Sequence, residues 1–276
     1  IATADDNGEV RIWHRQGQLL AHFQGHEGWI STVTFSPNSN QLATSGRAAR
    51  VRIWDLKGNQ LTELEGHEGI VWDIAFSPDG SKLVTGGEDA TARLWNIQGE
   101  QITDLKGHQG AIWETIFSAD GTLATRGEDG IIRLWDTQGN RLSELKGHQG
   151  AVWDISFSPD GKNLVTGGED GSVRVWNIQG EQLLELNEHQ EEVTKVAFGT
   201  NDYVVTRDQA GSARLWNLQD LLSNSTNQTD ETTNQFQDTT QDREGVSQPR
   251  GIPLRSNQSG VWDVAFSPTH HRVVTI

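Results

Sequence analysis

Short runs of β-branched, aromatic and apolar residues, cut about every 8 to 12 residues by turn residues, make up most of this chain. Residues 66–96 show the pattern at its clearest. Val71–Phe76 alternates well enough for a strand, with one charged interruption at Asp73, and Ser77-Pro78-Asp79-Gly80 then supplies a tight turn. A second strand follows over 82–85. Gly86-Gly87-Glu88-Asp89-Ala90 turns the chain again, and 91–95 reads as a third strand with Arg93 on one side of its pleat. Gln101–Leu105 is short and polar on one side, which suits an outer edge strand. Strand pattern alone admits a sandwich or a barrel as readily as anything else.

Self-similarity decides between them. Trp13, Trp54, Trp95, Trp135, Trp176 and Trp216 fall 41, 41, 40, 41 and 40 residues apart, and His26, His67, His108, His148 and His189 keep the same step. A fixed period near 40, opening on Gly-His and closing on Trp-Asp or Trp-Asn, is the signature of a four-stranded propeller blade. With Gly66-His67 to Trp95-Asn96 and Gly147-His148 to Trp176-Asn177 as its clearest copies, the chain resembles the WD40 repeat family. The wording Val-Trp-Asp-Ile-Ala-Phe-Ser-Pro-Asp-Gly is most like that of bacterial, cyanobacterial-type WD40 proteins. The expected fold is therefore an all-β propeller of four-stranded blades.

Strand counting gives three strands in a partial blade (1–24), full blades at 25–65, 66–106, 107–146 and 147–187, a blade at 188–255 carrying an insertion, and two strands in a partial blade (256–276). That makes 25 strands, one more than six blades need and three fewer than seven. Seven is the favoured number for the intact protein, with six the alternative. The first residue falls inside a repeat, so the chain reads as part of a longer protein. Successive repeats place 18 residues between the closing Trp and the position of Trp72, whereas Trp216 and Trp262 are 46 apart. The extra segment, roughly 220–248, is rich in Asn, Gln, Thr, Ser and Asp and is expected to be a mobile loop. It holds two glycosylation-type triplets, at Asn224 and Asn227. The register recovers by Ile252-Pro253-Leu254. Two repeats, around Gly121 and Gly199, are one residue short, which reads as a deletion in a turn.

Charge narrows the partners. With 22 Lys+Arg against 38 Asp+Glu the formal net charge is −16, which disfavours a nucleic-acid backbone and favours a basic protein or peptide. There is no cysteine, hence no disulfide framework. No apolar run is long enough to span a membrane and no signal peptide is visible, so a cytoplasmic, monomeric propeller is expected. No His-Glu-x-x-His, Gly-x-Ser-x-Gly or cysteine pair is present, and neither a metal nor a cofactor is expected.

His67, Thr85, Asp89 and Trp95 recur as His108, Thr125, Asp129 and Trp135, and again as His148, Thr166, Asp170 and Trp176. A catalytic set would be expected once, not three times. The family resemblance implies instead a structural network in which His bridges the turn Asp and the strand Thr, and Thr meets the indole N–H. Asn7, Ala48 and Ala210 stand where Asp89 stands, and Asn257 replaces a histidine, so those blades are expected to be softer.

A second recurring set suits binding. Trp72, Trp113, Trp153 and Trp262 lie four residues before a strand phenylalanine and are followed by Asp73, Glu114, Asp154 and Asp263. By similarity to WD40 propellers these positions lie on the top rim of the central channel, with Glu88, Glu128 and Glu169, and with Trp29 two residues off the main set. The expected function is a non-catalytic protein-interaction scaffold or sensor, part of a larger signalling protein. Two alternatives stand beside it, a reader of basic or methylated side chains through a Trp and acid cage, and an enzyme with its active site in the channel.

Overall fold

The computed structural model describes residues 1–226 and the strand segments 252–254, 264–266 and 273–275. It divides into two units, Ile1–Gly147 and His148–Ile276. In the first unit, β1 (Ala2–Ala4), β2 (Glu9–Trp13) and β3 (Leu19–Gln24) form a three-stranded sheet. Three four-stranded sheets follow. They are β4 (Ile30–Phe35) to β7 (Gln60–Leu64), with β5 (Gln41–Gly46) and β6 (Val51–Asp55) between; β8 (Val71–Phe76), β9 (Lys82–Gly87), β10 (Ala92–Asn96) and β11 (Gln101–Leu105); and β12 (Ile112–Phe117), β13 (Leu123–Gly127), β14 (Ile132–Trp135) and β15 (Arg141–Leu145).

The second unit continues the series with β16 (Val152–Phe157), β17 (Asn163–Gly168), β18 (Val173–Asn177) and β19 (Gln182–Leu186) in one sheet. Its next sheet holds β20 (Val193–Phe198), β21 (Tyr203–Asp208), β22 (Ala213–Asn217) and, past the insertion, β23 (Ile252–Leu254). A two-stranded sheet of β24 (Val264–Phe266) and β25 (Val273–Thr275) closes the list of described strands. Within every sheet each strand pairs antiparallel with its neighbour in sequence. Ala213 faces Leu254 across β22 and β23, so the register does recover at Ile252-Pro253-Leu254, with Pro253 on an edge strand, where proline is tolerated.

The turns form for local reasons. The Ser77 hydroxyl donates to Asp79 at 2.6 Å and accepts the Lys82 amide at 3.0 Å, while Asp79 also accepts the Ser81 amide. These bonds, led by Ser77, hold the Asp79 carboxyl down at about 2. In the β12–β13 turn the Ser118 amide bonds the Thr122 carbonyl, where Ser77 reaches Lys82, so the missing residue has been taken from the turn and the ladder is intact.

Within each unit the core lies between successive sheets. Val51, Ile53 and Leu64 from one sheet pack with Val71, Ile74 and Leu83 from the next, and Leu94 and Leu105 pack with Ile112 and Leu123. In the second unit Val173 and Val175 meet Val196 and Val204 in the same way. Each fully buried aliphatic side chain of this kind stabilises the fold by about 1.5–3 kcal/mol.

The insertion does not begin as a loop. Asn217 caps a helix, α1 (Leu218–Thr226), by accepting the Gln219 amide at 3.1 Å. Leu218, 2% exposed, and Leu221 pack against the second unit's core, an apolar pair three residues apart that the polar composition around it hides. The rest of 220–248 lies outside the described residues.

Candidate functional site

The recurring His, Thr, Asp and Trp meet as a chain of hydrogen bonds inside each full sheet. The Trp95 indole donates to Thr85 Oγ1 at 3.0 Å, Thr85 lies 2.7 Å from His67 Nε2, and His67 Nδ1 lies 3.0 Å from Asp89. Trp135, Thr125, His108 and Asp129 repeat it, as do Trp176, Thr166, His148 and Asp170. The aspartate fixes the protons, because an ionised carboxylate can only accept. The ring proton therefore sits on Nδ1 facing the aspartate, and Nε2 accepts the hydroxyl of the threonine, whose oxygen accepts the indole N–H. Burial draws His108 and His148 below the ordinary histidine range against the pull of their aspartates, so the rings are neutral. Burial alone would raise Asp89 and Asp170. The His67 and Thr91 bonds outweigh it at Asp89, and the Gln149 amide and Ser172 do so at Asp170, so both carboxyls stay well below the usual range.

The network has a fifth member that sequence reasoning left out. Arg133 donates to Asp129 at 2.8 Å and to Glu144 at 3.0 Å, and Arg174 joins Asp170 at 3.2 Å. The signal was present, since an arginine stands two residues before the closing Trp in every blade from Arg11 to Arg214.

Two of the blades expected to be soft are not missing the acid. His189 Nδ1 lies 2.9 Å from Asp208, two residues before Ala210, and Thr206 and Trp216 complete the chain. Geometry explains the swap: a Cβ placed on Gly87, the position of Asp208 in the β8–β11 sheet, would lie 2.4 Å from His67 Nδ1. An acid at that position therefore reaches the histidine as well. Asp5 holds the same position in the first sheet and pairs with Arg11 at 3.1 Å. Ala48 is different. His26 keeps Thr44 at 2.8 Å, and Trp54 keeps Thr44 at 2.9 Å, but His26 Nδ1 is buried with no partner. Burial first, then the Arg52 charge, pushes His26 down to about 4. Asn257 lies outside the described residues.

The tryptophan set rests on a backbone irregularity. The β8–β9 ladder pairs Val71 with Gly87 and then Asp73 with Gly86, leaving Trp72 as the extra residue of a β-bulge. Trp113 and Trp153 occupy the same bulge in β12 and β16, as do Ser31 in β4 and Thr194 in β20. Bulges re-aim one side chain away from the ladder and recur beside functional sites. All three tryptophans, and Trp29, are half-buried. Trp29 and Trp72 come together with ring centroids 5.9 Å apart and planes tilted by 44°, and the Trp72 indole N–H has no acceptor. Glu88, Glu128 and Glu169 are exposed at the adjoining turns, with Glu88 accepting the Ile70 amide at 3.0 Å and Glu169 the Ala151 amide at 2.9 Å. Trp153 and Glu169 belong to the second unit. Trp262 lies outside the described residues.

The acids that follow the tryptophans do something else. Asp73 accepts the amide and hydroxyl of Thr115 in the next sheet at 2.8 and 3.2 Å, and Asp154 accepts the Val196 amide at 2.8 Å. They staple one innermost strand to the next. Asp73 and Glu114 also line a cleft of about 390 Å³ along β4, β8 and β12. Burial, with the like charge of Glu114 behind it, raises Asp73 to about 6. A raised carboxyl in a cleft can mark catalysis, but Asp154 repeats the same bond in the second unit, which identifies a structural part. Because the folded value exceeds the unfolded one, near 3.8, the stability tied to Asp73 is full below about pH 4 and is lost as pH rises to 6. Asp73→Asn keeps an acceptor for Thr115. It is expected to add about 1–3 kcal/mol at pH 7 and to flatten that decline in urea titrations at pH 4.5 and 7; an unchanged pH profile would contradict the assignment.

Comparison with known proteins agrees with these repeats. The family model described as "WD domain, G-beta repeat" matches residues 17–55, 58–96, 99–136 and 139–177, more than half of the chain. The chain belongs to the WD40 family. Its four-stranded antiparallel sheets are blades of the WD40 β-propeller. Among curated proteins it is similar to apoptotic protease-activating factor 1 of Mus musculus, 45% identical over 56 residues, and to those of Rattus norvegicus, 39% over 56, and Homo sapiens, 38% over 55. Each match covers 17% of this chain and 4% of the relative. WD40 repeats indicate a protein-interaction scaffold, and the family is generally non-catalytic. Among the described residues no helix is long and apolar enough to cross a membrane, and no cluster of His, Asp or Glu could hold a metal ion.

Proposed function

We propose that this WD40 protein is a non-catalytic interaction scaffold or sensor that holds a peptide or partner domain on its acidic, tryptophan-bearing top face. The carrying observation is the bulge that repeats at Trp72, Trp113 and Trp153 and turns a large aromatic side chain off the ladder in blade after blade. The Trp29–Trp72 pair offers a partner apolar area and aromatic faces. Exposed Glu88, Glu128 and Glu169 beside the indoles, on a chain of net charge −16, favour a basic or methylated side chain on the partner. A place in a larger, cytoplasmic signalling protein fits the limited likeness to the apoptotic factor.

The test is capture of partners from a lysate of the source cells at rising salt. Retention is expected to fall steeply, since exposed carboxylates contribute chiefly through screened attraction. A bound set unaffected by salt would sink the charge-complementary part of the reading.

A further inference from the structure

In three sheets one aspartate carboxylate gathers the same four kinds of donor. Asp129 accepts the His108 ring at 2.9 Å, the Gln109 amide at 3.1 Å, the Ile131 amide at 3.2 Å and the Arg133 guanidinium at 2.8 Å. Asp170 does so from His148, Gln149, Ser172 and Arg174, and Asp89 from His67, Glu68, Thr91 and Arg93. The β4–β7 sheet presents the corresponding donors at His26, Glu27, Arg50 and Arg52, but position 48 is alanine and no nearby acid substitutes as Asp208 does elsewhere.

His26 is 1% exposed, and its Nε2 lies 2.8 Å from Thr44, which accepts the Trp54 N–H, so Nδ1 is the ring nitrogen left without a partner. In the sheets that keep the aspartate, this nitrogen meets the carboxylate of the residue at the position of Ala48. Arg52 keeps Glu63 at 2.6 Å, as Arg133 keeps Glu144, but the guanidinium nitrogen that in Arg133 meets the aspartate here turns to the Gly25 carbonyl at 2.6 Å. Ala48 itself is exposed, so the position opens to solvent. Three arginines lie in or beside this turn. Arg47, exposed, takes the position of Glu88 and pairs with no described carboxylate, and Arg50 reaches Glu63 and Glu65 from the far side.

We propose that the β5–β6 turn is a carboxylate-binding site, in which the His26 Nδ1–H, the Glu27 and Arg50 amides and the Arg52 guanidinium receive the carboxylate of a ligand in place of the side chain that position 48 lacks. A carboxylate fits because it is what the same donors hold in three other sheets. The group can belong to a small free acid or to the C-terminus of a peptide.

Both sources can be probed on the natural chain and on Ala48→Asp, whose own carboxylate fills the site and restores the pattern of the stable sheets. Sodium formate, N-acetyl-diglycine and N-acetyl-diglycine amide are titrated while the His26 imidazole resonances are followed by NMR, with chloride at matched ionic strength as control. Formate is expected to shift His26 saturably, at concentrations at least about tenfold lower than any shift in Ala48→Asp. N-acetyl-diglycine acting where its amide does not would assign the site to a peptide C-terminus, and formate acting alone would assign it to a small acid. His26 resonances indifferent to both acids, equally moved in Ala48→Asp, or moved by chloride alone would overturn the proposal.

Discussion

Replacing Asp129 by alanine is expected to cost about 3–5 kcal/mol of folding stability at pH 7, measured by urea denaturation. The carboxylate serves four donors, and two of them are in the interior: Arg133 is 4% exposed and His108 is 5% exposed. Removing one partner of such a group leaves the others desolvated without compensation, which costs more than the bond was worth. Ala48 shows what relief is available, because there the arginine has swung to a backbone carbonyl while His26 Nδ1 stays unpartnered. Arg133 could make the same swing, and that sets the lower end of the range. A cost below about 1 kcal/mol would mean that the aspartates fill space and carry little of the stability. Lowering pH acts in the same direction: the depressed Asp89 and Asp170 carboxyls stabilise the fold above the unfolded value near 3.8 and lose that contribution as pH falls toward their folded values.

The second large effect concerns binding. Trp29→Ala combined with Trp72→Ala is expected to weaken partner capture by at least about tenfold, since one buried aromatic anchor at an interface is commonly worth 2 kcal/mol or more. Both rings are half-buried, and neither belongs to the His, Thr, Asp and Trp network, so the variant is expected to fold with its thermal transition little changed. That separation distinguishes the variant from Trp95→Ala, which would remove a core side chain 2% exposed and cost about 3–5 kcal/mol. Undiminished capture by a folded Trp29/Trp72 variant would remove the pair from the binding site.

Much of this was legible in the sequence because the blade is built from local chemistry. Ser77-Pro78-Asp79-Gly80 makes its own turn, and the strands on either side begin where that turn releases them. Strand β9 runs two residues past the expected end because Gly86 and Gly87 pair with Ala92 and Val71. The bulge at Trp72 left a trace that the reading missed. Val71, Ile74 and Phe76 are buried at spacings of three and then two, and an unbroken strand buries every second residue. Recognising it would have turned Asp73 toward Thr115 and off the rim. The Asp208 substitution was hidden for another reason. Alignment compares positions in sequence, whereas His189 needs only an acid within reach, and two positions of the turn reach it. Helix α1 was missed because two leucines in a polar segment gain their meaning only from the core they touch.

The most direct test of the central claim, that the bulged tryptophans meet the partner while the buried network only holds the blades, is a hydrogen-exchange footprint of the protein with and without a captured partner. Protection is expected over 29–32, 70–74 and 111–115, with no change at the opposite turns, 77–82 and 118–122. Protection confined to 77–82 and 118–122, with the tryptophan segments exchanging as in the free protein, would contradict it.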